Sequence, residues 1–118
     1  MIITYNKPKF VTFSIIDGYT INAFITDDIV NNTNIIKYIS VIIGYELSYD
    51  NIVSALINYK YTSDQVTAIT LNYLLTLHEE VLEPEKVKEY QQDYKELQEY
   101  RAACKAEAKR AIEYVEEN

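Results

Sequence analysis

One histidine and one cysteine set a narrow limit on the catalytic chemistry open to this 118-residue chain. His78 lies in Leu77-His78-Glu79-Glu80-Val81-Leu82. A zinc-protease helix needs a second histidine four residues on, and Leu82 stands there. Alone, His78 reads as a half-exposed helix position. Cys104 sits among Ala102, Ala103, Ala106 and Ala108, with Arg101 and Lys105 beside it. A thiol nucleophile needs a histidine or another activating positive group. A small buried apolar residue is the simpler reading of Cys104. Asp27-Asp28 and Asn31-Asn32 lack the central glycine and terminal glutamate of a calcium loop. Two glycines in the whole chain leave no phosphate-cradling loop. No catalytic residue, cofactor or metal site is assigned, and the chain is expected not to be an enzyme.

Carboxylates and tyrosines offer recognition instead. Glu85, Glu89, Asp93 and Glu96 recur at spacings of 4, 4 and 3. On a helix this sets carboxylates about 5–6 Å apart along one stripe, near the phosphate spacing of a nucleic-acid strand. Such a stripe could occupy a basic groove. It is diluted by Lys86, Lys88 and Lys95; residues 79 to 118 hold twelve acids and seven bases, a local charge of −5. Tyr90, Tyr94 and Tyr100 run along the same segment, and Tyr59 and Tyr61 lie near a helix end. Tyrosine is enriched at binding hot spots because it buries a large area at small entropy cost. Ordinary packing accounts for the same residues equally well.

The net charge of −7 argues against nucleic acid as a direct ligand and against attraction to anionic membranes. No apolar run approaches the roughly 18 residues of a membrane helix, and the first residues lack a secretory-signal pattern. A single cysteine suits a reducing cytoplasm. The expected partner is a larger, basic protein or nucleoprotein.

The elements that must position these groups follow from periodicity. Val11, Phe13, Ile15 and then Tyr19, Ile21, Ala23, Ile25 alternate with polar residues, which predicts a β-hairpin within residues 1 to 28. A three-residue loop Ile16-Asp17-Gly18 would pair Phe13 with Ile21 and Val11 with Ala23, giving one apolar face and a positive φ at Gly18. Pro8 interrupts the first strand, so Ile2 to Tyr5 forms a separate or edge segment. Ile35, Ile36, Ile39, Ile42 and Ile43 fit one face of a helix that Gly44 would end, opening a helical region over residues 33 to 83. Ser48 or Asp50 caps the next helix, whose stripe is Ile52, Val53, Leu56 and Ile57. Thr62 and Gln65 form a capping box ahead of Val66, Ile69, Tyr73, Leu74, Leu77 and Val81. Pro84 starts a last helix over residues 84 to 118. Along it Val87, Tyr90, Tyr94, Leu97, Arg101, Cys104, Ala108, Ala111 and Val115 make a 4-3 seam.

A helix of that length is about 50 Å long, whereas a compact domain of this size has a radius of gyration near 13–14 Å. The helix must therefore protrude, bend or pack on another chain. The predicted fold is α+β: an N-terminal hairpin on a mostly helical single domain with a long acidic C-terminal helix. The predicted function is a non-catalytic protein-binding module. AT-rich-codon residues (16 Ile, 12 Tyr, 9 Asn, 9 Lys) suit a phage-type inhibitor that blocks a host protein such as a CRISPR–Cas or other defence nuclease in the host cytoplasm. The alternative is a phage structural or assembly protein, a homo-oligomer built through the last helix.

Overall fold

A computed structural model describes residues 1–31, 33–78 and 83–117. The fold is α+β. Four strands, β1 (Ile2–Thr4), β2 (Val11–Ser14), β3 (Gly18–Val30) and β4 (Thr33–Gly44), precede three helices, α1 (Tyr49–Lys60), α2 (Ser63–Leu77) and α3 (Pro84–Glu117). The sheet is antiparallel with order β1-β4-β3-β2. One of its faces carries Ile21, Ala23, Ile39 and Val41 against Ile52 and Leu56 of α1 and Cys104, Ala108 and Ala111 of α3. Small residues on α3 let the helix lie close. Full burial of Ile21, Ile52, Leu56 and Leu97 contributes about 1.5–3 kcal/mol each.

The helix predicted from Ile35 to Ile43 is a strand. Five isoleucines happen to fit helical spacing, yet six of the nine residues from 35 to 43 are β-branched, and such side chains suit a pleated surface. Pairing with β3 along its length and with β1 on its other side makes β4 a central strand. The sheet thus continues well past residue 28, and the helical region begins at Tyr49. Asp27 and Asp28 belong to β3 rather than to a connection. Gly44 ends β4 with φ +103° and faces Tyr19.

The hairpin loop also shifts. Ser14 pairs with Gly18, Phe13 with Tyr19 and Val11 with Ile21, so the loop is Ile15-Ile16-Asp17 and not Ile16-Asp17-Gly18. The two-residue slide keeps the same side chains on each face, because side chains alternate with period 2. Gly18 does take positive φ (+75°), and a Cβ there would lie 2.4 Å from the Gly44 carbonyl. The Tyr45 hydroxyl donates to the carbonyls of Ile15 and Ile16, which otherwise stand exposed at the tip.

The helix starts are as the sequence dictates. The Ser48 side chain accepts from Asn51 N, Thr62 and Gln65 form the reciprocal box, and Pro84 opens α3. Val81, assigned to the second stripe, lies outside the described residues. The long helix does project: the radius of gyration is 17.7 Å and the longest extent 53 Å. Among the described residues no helix is long and apolar enough to cross a membrane.

Candidate functional site

From Tyr100 onward α3 lies against the sheet and α1, while its earlier turns lie beside α2. α2 and the first turns of α3 therefore form a two-helix arm. Tyr73 and Tyr94 stack face to face at its centre, with ring centroids 3.9 Å apart and planes within 5°. From that stack outward, at about 100° per residue, Val66, Ile69 and Tyr73 face α3, whereas Leu71, Leu74 and Leu75 face away. Exposure of the outer face agrees: α2 buries no residue completely, and Leu71 is 57% and Leu74 44% exposed. Leu74 and Leu77 were expected in the packed stripe; both are open to solvent, Leu74 because it lies on a side of α2 that α3 leaves uncovered, and Leu77 as the last residue of α2 although it is on the α3-facing side. The only acid or base between Ser63 and Leu77 is Asp64. His78 is the exposed C-cap of α2.

The predicted acidic stripe occupies the other side of the arm. Glu85, Glu89 and Glu96 are exposed and project about opposite to Tyr94, hence away from α2. Asp93 is half-buried on the flank. The stripe is partly neutralised along its own helix. Lys86 Nζ lies 3.2 Å from Glu89, which raises the lysine pKa through that hydrogen bond and charge, and Lys95 lies 4.0 Å from Glu99. Gln92 donates to Glu96 at 3.0 Å. Acid stripe and leucine face stand back to back, so a flat partner contacts one of them at a time.

The predicted tyrosines divide between the interior and the surface. Tyr94 is engaged by Tyr73, and Tyr90 is half-buried with Lys86 Nζ 6.0 Å from its ring centroid. Tyr100 belongs to the packed half of α3. Its hydroxyl donates to the Leu56 carbonyl, its ring lies against Phe24 and Tyr61, and burial first, then the Cys104 thiol, pushes its pKa well up. Tyr61 packs on Tyr100 under Lys60, while Tyr59 is exposed and accepts from the N-terminal amine at 3.0 Å. Cys104 is fully buried, and that burial raises its pKa, the opposite of nucleophile activation.

Sequence reasoning missed Glu107, a carboxylate only 5% exposed. β3 contains a bulge: Phe24 and Ile25 together face the single residue Tyr38, and Phe24 sits at φ +56°. A left-handed non-glycine residue is costly, and the bulge takes its N–H out of the ladder. Glu107 Oε2 accepts that N–H, and Oε1 pairs with Arg110 Nη1 at 2.5 Å. The signal in the sequence is a lone acid between Ala106 and Ala108, three residues past Cys104 and flanking the seam. Among the described residues no cluster of His, Cys, Asp or Glu could hold a metal ion.

No family model matches the chain, and neither a curated protein nor a solved structure matches it.

Proposed function

We propose that this chain is a non-catalytic protein-binding module whose α2 lays its leucine face into an apolar groove on a larger protein. The supporting observation is that Leu71, Leu74, Leu75 and His78, at i, i+3, i+4 and i+7, stand uncovered on a projecting arm. That spacing is the anchor pattern of helix-in-groove recognition. The net charge of −7 favours a basic partner through long-range attraction. A blocker of a basic host nuclease, such as a defence enzyme, is the concrete form of this reading.

Self-association through the α3 seam has less room, since its own sheet and α1 cover Cys104, Ala108 and Ala111. The test compares wild type with Leu71→Glu/Leu75→Glu and with Glu89→Lys/Asp93→Lys/Glu96→Lys, by quantitative affinity capture from host lysate and by light scattering. One protein captured by wild type, lost with the leucine variant and retained in part by the charge variant, supports the reading. Equal capture by wild type and leucine variant, or a wild-type dimer that the leucine variant dissolves, contradicts it. Unchanged affinity of the charge variant at low salt removes the acidic stripe from the contact.

A further inference from the structure

A cleft of about 380 Å³ lies between the segment leading into β2, the β3 bulge and the last turns of α3. Its position, on the opposite part of the molecule from the leucine face of α2, makes it independent of the proposed docking function. Three of the chain's eleven cations, Lys7, Lys9 and Arg110, line it, and among the described residues Glu107 is the one acid there. The cleft is thus locally positive in a strongly acidic protein.

Its walls are fixed by the fold. Asn22, 8% exposed, donates through Nδ2 to the Lys9 carbonyl at 2.7 Å, and its backbone N–H donates to the Phe10 carbonyl at 2.8 Å. The segment carrying both lysines is therefore held to β3. The Arg110 guanidinium is held on two sides: by Glu107, and by the Phe10 ring, whose centroid lies 5.1 Å away. A guanidinium has five N–H donors, and the contact to Glu107 engages only one nitrogen of the fork. Among the described residues neither lysine ammonium has an ion-pair or hydrogen-bond partner. Phe10 and Tyr114, with ring centroids 5.7 Å apart, supply an aromatic wall.

We propose that this cleft binds a small phosphorylated ligand with a planar body, of mononucleotide size. Two lysines and a clamped arginine suit a phosphate dianion, whose three oxygens accept charge-assisted hydrogen bonds. The aromatic wall suits a ring, and the volume falls in the range of small-ligand sites and exceeds what a bare phosphate fills. The net charge of −7 disfavours non-specific binding of a dianion to the rest of the surface.

Isothermal titration of the full chain with AMP, with adenosine and with inorganic phosphate tests the proposal. NMR shifts of the Phe10 and Tyr114 rings serve as an independent readout. The proposal expects AMP to bind and to move both rings. Adenosine and phosphate should each bind about tenfold or more weaker, and Lys7→Ala/Lys9→Ala should weaken AMP by about tenfold or more with the fold unchanged by circular dichroism. Both lysines are exposed, so the double variant should fold as wild type does. Absence of heat and shifts with AMP overturns the proposal. So does equal affinity of the lysine variant, or phosphate binding as tightly as AMP.

Discussion

The two halves of α3 differ in what surrounds them. From Leu97 to Ala111 the helix buries Leu97, Cys104, Glu107, Ala108 and Ala111 against its own chain. From Pro84 to Glu96 it buries none completely and meets α2 through the Tyr94–Tyr73 stack. One continuous helix therefore serves two ends: its small-residue half completes a core, and its polar half carries an arm. Substitutions should separate the two, costing stability in the first region and binding in the second.

The largest expected effect lies at the core. Leu56→Ala should lower stability by about 2–5 kcal/mol, since a fully buried side chain leaves a cavity that α1, the sheet and α3 cannot close. Chemical denaturation measures it, and a loss under 1 kcal/mol, on the order of a surface change, would count against the packed half as described.

Glu107→Ala should cost about 2–3 kcal/mol by leaving the Phe24 N–H without its acceptor in the bulge. Glu107→Gln keeps an acceptor oxygen and should cost less. Equal losses for the two would mean that the carboxylate does not hold the bulge.

A smaller effect is expected from alkali. Burial favours the neutral forms of Tyr100 and Cys104, so both pKa values lie above their ordinary values of 10.0 and 9.0. The unfolded chain then holds fewer protons than the native one at high pH, and stability must fall as pH rises. This contribution is complete below pH 9.0 and declines once pH passes the ordinary values, so the melting temperature should drop there. Tyr100→Phe should show a shallower drop than wild type. An identical alkaline slope would remove Tyr100 from the account.

The smallest stability change is expected on the arm. Leu71→Glu/Leu75→Glu replaces exposed side chains and should shift unfolding free energy by about 0.5 kcal/mol per site or less. A loss comparable to that of Leu56→Ala would show that the leucines support the fold and erase the contrast between the halves.

Much of the helical part was legible in the sequence because its signals are local. Thr62 and Gln65, Ser48, and Pro84 act on neighbours within one turn, and the 4-3 seam marks the buried side of α3 directly. β4 was not legible, because five isoleucines satisfy both periods and its pairing with β1, more than thirty residues away, leaves no local signal. The slipped hairpin loop depends on Tyr45 and Gly44, again distant. At the candidate site, the exposed acids of α3 were readable. The leucine face was not, since α2 is apolar on two sides and only the position of α3 decides which is covered. The role of Glu107 depends on a bulge at Phe24, which no local pattern announces.

Hydrogen exchange on the free chain and on its complex with the captured partner tests the division of labour most directly. The account predicts slow exchange in the free chain from Leu97 to Ala111, and protection gained on binding along α2, centred on Leu71 and Leu75. Protection gained on the sheet or the packed half of α3, with α2 unchanged, would contradict it.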